Sequence, residues 1–182
     1  MKKIYTLVCC LFVLSGLSAQ SEERDWSQPS IIAKKNTEPI RLDGILDEES
    51  WYAGRPANNF WEYFPTDTVR AQTKTEVFIT YSDTHVYIGA KCYSEDDNYI
   101  TQSLRRDFSA SGTDNLTFLI DPFNDYTNAF MFGVNPFGVQ REALLYNGVQ
   151  NIQRDWDPSW DNKWSSAVKV HDGYWACELA IP

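Results

Sequence analysis

Three tryptophans and two aspartates share nine residues: Trp156-Asp157-Pro158-Ser159-Trp160-Asp161-Asn162-Lys163-Trp164. An indole offers a flat apolar face, and a carboxylate or amide offers hydrogen-bond partners. A sugar ring needs both, because one face carries C–H groups and the rim carries hydroxyls. Trp156 or Trp160 is therefore a candidate stacking platform, with Asp157, Asp161 and Asn162 as hydroxyl partners. A second aromatic run, Phe60-Trp61-Glu62-Tyr63-Phe64-Pro65, sets Trp61 and Tyr63 on one parity and adds them to the ligand candidates. The competing reading is a core role. Large aromatics are mostly buried, so most of the seven tryptophans are expected inside and one or two at a ligand.

Other chemistries have less to stand on. No Gly-x-Ser-x-Gly elbow, zinc-ligand spacing or glycine-rich phosphate loop is present. His85 and His171 both sit beside turns, where a structural role accounts for them. Asp121 and Asp125 lie in one loop, and Asp155, Asp157 and Asp161 in another. Oxygen ligands at such spacing suit Ca²⁺, which makes Asp121, Asp125 and Asp155 candidate ligands. The same carboxylates serve as Asx-turn acceptors, and that reading is preferred. Arg105-Arg106 is expected to order its loop by bridging to Asp107 or Asp114.

The elements that must position these residues read mainly as strands. Period-two alternation marks strands over 75–81, 85–93, 115–120, 127–134, 165–170 and 174–181. Asn135-Pro136-Phe137-Gly138, Asn147-Gly148 and Asp172-Gly173 punctuate them as turns. One short helix is expected near Trp51, capped by Asp47, with Glu48 and Glu49 in its first turn. Many short strands with frequent turns predict an all-β fold, an antiparallel β-sandwich with one short N-terminal helix.

Length and charge narrow the function classes. A chain of 182 residues holds one domain with a sizeable core. Met1-Lys2-Lys3, an apolar run over 4–14 and a small-residue exit ending in Ser18-Ala19-Gln20 predict a cleaved signal peptide over 1–20. Residues 21–37 then form a leader. The mature chain keeps 14 basic against 25 acidic residues, a net charge of −11. That field repels phosphate backbones and disfavours nucleic acid. Cys92 and Cys177 remain, either as a disulfide or as two buried free thiols.

The order of motifs resembles family 9 carbohydrate-binding-module-like domains. Ile40-Arg41-Leu42-Asp43-Gly44-Ile45-Leu46-Asp47-Glu48-Glu49-Ser50-Trp51 looks like their opening, and Tyr81-Ser82-Asp83 with Val86-Tyr87-Ile88-Gly89 looks like their first hairpin. Arg105-Arg106-Asp107, Ile120-Asp121-Pro122, Asn135-Pro136-Phe137-Gly138, Trp160-Asp161-Asn162-Lys163-Trp164 and Glu178-Leu179-Ala180-Ile181-Pro182 follow in order. The resemblance spans about 38–182. It is nearest to a subgroup at the N-terminus of large exported Bacteroidetes-type proteins, in which an outer-membrane β-barrel region follows.

What the resemblance implies is a sandwich that binds a polysaccharide or oligosaccharide, often with structural Ca²⁺. In such modules two tryptophans hold the terminal sugar. The implied setting is the periplasm, outer membrane or cell surface, in polysaccharide catabolism, with any glycoside hydrolase activity in linked domains. An alternative is a structural domain that docks on its own C-terminal barrel. Similar sandwiches also hold haem between a methionine and a histidine, which would here be Met131 with His85 or His171; ordinary packing accounts better for Met131.

Overall fold

The computed structural model describes residues 31–66, 68–150 and 154–182. The signal and most of the leader lie outside them. Among the described residues the strands are β1 (Lys34–Lys35), β2 (Thr75–Tyr81), β3 (Val86–Tyr93), β4 (Leu116–Ile120), β5 (Ala129–Val134), β6 (Gln140–Leu145), β7 (Trp156–Asp157), β8 (Ser165–His171) and β9 (Tyr174–Ile181). One helix, α1 (Glu49–Tyr52), precedes β2.

The strands form two sheets, β1-β2-β3-β9-β8 and β4-β5-β6-β7. All pairings are antiparallel except the short β1–β2 contact. This is an all-β sandwich, as the alternation predicts. β2 and β9 occupy the predicted spans, and the other expected strands shift by one or two residues.

The alternation works because each strand turns one parity inward. Val77, Ile88, Ala90, Trp175, Cys177, Leu179 and Ile181 from the first sheet meet Phe132 and Val134 from the second. The facing apolar surface excludes water, and each fully buried large side chain contributes about 1.5–3 kcal/mol.

Helix α1 and the preceding loop cover the outer face of the first sheet. Leu46 and Trp51 pack there on Phe78 and Ala176. Gly89 makes this approach possible, since a Cβ there would lie 2.7 Å from Leu46 Cδ2 and 3.1 Å from the Trp51 ring. The helix begins one residue later than expected. Glu48, not Asp47, takes the N-cap position, and no side chain caps the helix. Glu48 instead accepts hydrogen bonds from Arg41 N at 2.8 Å and Trp51 Nε1 at 2.9 Å. Its carboxylate therefore ties the loop to the tryptophan that seats the helix.

Cys92 and Cys177 are free thiols. Their strands pair in a register that sets Cys92 opposite Trp175 and Cys177 opposite Ala90. Burial pushes the Cys92 thiol up to about 12 and raises Cys177 as well. Of the two sequence alternatives, the structure has free thiols, Cys177 buried and Cys92 half-buried.

Candidate functional site

A cavity of about 490 Å³ opens at one end of the sandwich. The β2–β3 turn forms one side, the end of β9 another, and the second sheet closes it through Ile120, Phe130 and Phe132. Trp160 stands on the floor with Asn162 beside it. Its ring lies 5.0 Å from Phe130 and 5.8 Å from Phe132, the second contact edge to face. Two phenylalanines of β5 thus hold the half-buried indole in place and leave part of it facing the cavity.

Polar groups gather at the mouth. Ser82 Oγ accepts from the backbone N–H groups of Thr84 and His85, which fixes the turn. The Thr84 hydroxyl and His85 Nδ1 share a hydrogen bond of 2.8 Å, and the imidazole stacks on Tyr87. Asp83 is held by Lys35 at 2.6 Å. An apolar slot with convergent polar groups at its rim is the usual form of a small-ligand site. His85, expected only to serve its turn, is therefore also a wall of this cavity.

The tryptophan-rich segment splits among three environments. Trp160 and Asn162 reach the cavity. Trp164 is in the core, where its indole N–H donates to the buried Glu142. Trp156 lies on the outer face of the second sheet, packed on Met131, Ala143 and Leu145. The Arg141 guanidinium sits 5.0 Å over its ring. Asp157 accepts from Ser159 N at 2.9 Å and from the Ser159 hydroxyl at 2.6 Å, closing a local turn. Asp161 accepts from Arg106 at 3.2 Å.

Trp61 and Tyr63 are not walls of the Trp160 cavity. Trp61 bridges to Arg70, whose guanidinium lies 4.1 Å over the indole. Tyr63 is 92% exposed. The structure therefore does not bring Trp61 together with Trp156 or Trp160 as two walls of one slot.

Arg106 has other partners than the expected Asp107 and Asp114. It donates to Gln140 at 2.8 Å, to Glu142 and to Asp161. Asp107 accepts from Glu142 N, and Asp114 accepts from Ile100 N. Arg106 thereby closes the flank where β6 faces β8, helped by a Gln140–Ser166 bond of 2.9 Å.

The aspartates considered for Ca²⁺ are engaged locally. Asp121 accepts from Phe123 N at 3.0 Å and Tyr126 N at 2.8 Å. Asp125 accepts from Thr127 N and from both the backbone and side-chain nitrogens of Asn128. Those donors hold its carboxyl well below the usual range. Asp155 is buried and accepts from the Asn147 amide at 3.2 Å. Among the described residues no group of three or more histidine, cysteine or acidic side chains is placed to hold a metal ion. The donor set does not fit a shared cation.

A haem ligand pair is not assembled either. Met131 packs on the outer face of its sheet, whereas His85 lines the cavity on the inner side. His171 stacks on Tyr174 at 4.6 Å and bonds the Gly44 carbonyl oxygen at 2.9 Å.

No family model and no curated protein matches the sequence. The fold is similar to that of a carbohydrate-binding module of family 9 from Caldicellulosiruptor kristjanssonii, solved in complex with cellotriose and in complex with glucose. Each comparison gives a TM-score of 0.51 at 15% identity and covers 82% of this chain. The chain spans 65% of the cellotriose-bound module and 67% of the glucose-bound one. At that identity the likeness defines the fold, which is family 9-like; the chemistry of a site must be argued from its own residues.

Proposed function

We propose that this chain is a non-catalytic saccharide-binding domain of an exported cell-envelope protein, and that the Trp160 cleft receives the sugar. The observation that carries this reading is the cleft itself: an indole face on an apolar floor, with Asn162, His85 and Asp83 around it. A pyranose would lay its C–H face on Trp160 and turn its hydroxyls toward the mouth. That the family 9 modules of like fold carry cellotriose and glucose supports the same ligand class. The export context rests on the amino-terminal sequence, and a role in polysaccharide catabolism rests on the resemblance of the motifs.

A second reading has its own observation. Tyr63 and Phe64 are 92% and 85% exposed in one loop. Large exposed aromatics suit a docking surface, and a domain that seats on an outer-membrane barrel would use one.

Calorimetric titration of the full chain with cellotriose tests the first reading. Saturable heat that disappears in Trp160→Ala supports it. No heat with xylan, cellulose or mannan oligosaccharides overturns it in favour of docking.

A further inference from the structure

The opposite end of the sandwich holds a second cavity, of about 500 Å³. It lies between the start of β2, the end of β3 and the segment leading into β4. The two cavities share no residue. Both fall within the range of about 300–1,000 Å³ usual for small-molecule sites. Where the first is mainly apolar, the second mixes the two kinds of surface. Tyr99 and Trp175 supply aromatic wall, while Asp96, Asn98 and Asp114 supply carboxylates and an amide.

The walls are anchored. Asp114 holds Ile100 N through one carboxylate oxygen at 2.7 Å, and Asp114 N donates to the Ile100 carbonyl at 2.8 Å. Trp175 is fixed on β9, paired with Cys92 of β3. An aromatic side chain on a strand, with a second aromatic and acceptors on a pinned loop, forms a preorganised surface. No lining residue is basic. Lys74, over the Tyr93 ring at 4.9 Å, is already bound to Glu76 at 2.9 Å.

We propose that this cavity is a second saccharide site, taking a neutral hydroxylated ring and rejecting anionic sugars. The aromatic walls meet the C–H face of the ring, and the carboxylates accept from its hydroxyls. Those carboxylates repel a uronate or a sulfate. The proposal uses only the chemistry of these walls, so it stands apart from the reading of the Trp160 cleft.

The test is a titration of the full chain with glucose and with glucuronate, followed by backbone amide shifts in nuclear magnetic resonance. Saturable movement of Ser94, Asn98 and Ile100 with glucose, and none with glucuronate, is the expected result. Thr73→Trp, which fills the mouth, abolishes that movement and leaves any response at Thr84 and Asn162 unchanged. Asp96→Lys makes the same amides respond to glucuronate, a change that a merely structural role for Asp96 does not produce. Shifts confined to Thr84, His85 and Asn162 overturn the second site, as does a glucuronate response equal to that of glucose in the unaltered protein. No shift at either end overturns both sites. Movement at Ser94, Asn98 and Ile100 alone overturns the cleft reading and keeps this one.

Discussion

Trp164 donates its indole hydrogen to the carboxylate of Glu142, which is 1% exposed and also accepts from Arg106. One buried acid thus ties the segment before β8 to the centre of β6 and to the loop before β4. An acid in a core persists only when its oxygens are paired. Glu142→Ala leaves the indole N–H without its partner and loosens the flank that Arg106 closes. The expected cost is about 2–4 kcal/mol, from the buried donor and the broken ion pair together. Urea denaturation measures it, and a loss below about 1 kcal/mol would show that the network adds little.

Trp160 and Trp156 separate binding from packing. Trp160→Ala removes the floor of the cleft and is expected to abolish saccharide affinity. Trp156→Ala is expected to keep that affinity while costing about 2–4 kcal/mol of stability, because the indole packs on Met131, Ala143 and Leu145 beneath Arg141. Calorimetry and thermal melting on both variants check the pair. Affinity lost in Trp156→Ala but kept in Trp160→Ala would reverse the assignment.

The thiols give a simpler expectation. Cys177 is fully buried and Cys92 has its thiol pushed up to about 12 by burial. A thiolate is the reactive form, so Cys177 should not react with a thiol reagent while the protein is folded, and half-buried Cys92 should react slowly. Labelling of Cys177 should follow global unfolding, and a reductant should leave the melting temperature unchanged. Rapid labelling of Cys177 in the native protein, or a reductant-sensitive melt, would contradict a buried Cys177 and two free thiols.

Metal removal is expected to do little. Asp121 and Asp125 already have backbone N–H donors on their oxygens, which compensate the carboxylates without a cation. A melt recorded with and without EDTA should therefore coincide. A marked drop in EDTA would mean that cation binding stabilises the native state by mass action.

Much of this architecture was legible because inward and outward parities rarely conflict. β9 reads Trp175, Cys177, Leu179 and Ile181 on one side, and all four are in the core. β6 was not legible. Gln140-Arg141-Glu142 looks like a solvated segment, yet Glu142 shares the parity of Phe132 and faces inward. Arg141 lies flat across the outer face between Phe108 and Trp156. Gly133 permits this, since a Cβ there would lie 2.9 Å from Arg141 Cγ. Such pairings join residues far apart in the chain, and a local pattern does not contain them. The same holds for the site: the aromatic composition offers Trp61, Tyr63, Trp156 and Trp160 alike, and the walls around Trp160 come from β2, β3, β4, β5 and β9.

Glu178 makes the last prediction, one of pH. It is buried on the outer face of the first sheet, beneath the Asp43–Gly44 turn. Oε2 accepts from Asp43 N at 2.8 Å and Gly44 N at 2.7 Å, while Oε1 is buried without a hydrogen-bond partner. Burial raises its carboxyl to about 7, Glu48 and Asp43 add repulsion, and the two N–H groups pull the other way. The folded state thus holds a proton that the unfolded chain, with an ordinary carboxyl near 4.5, has already released. Between those two values the native state binds more protons, so stability falls as pH rises from about 4.5 to about 7 and then levels. The expected loss is about 1–3 kcal/mol. Glu178→Gln retains an acceptor for the turn and cannot ionise. It should flatten this limb and leave the variant more stable than the parent at pH 8, a difference that parallel urea melts at pH 5 and pH 8 read directly. A parent whose stability rises across the same interval would show that the Asp43 and Gly44 donors outweigh burial.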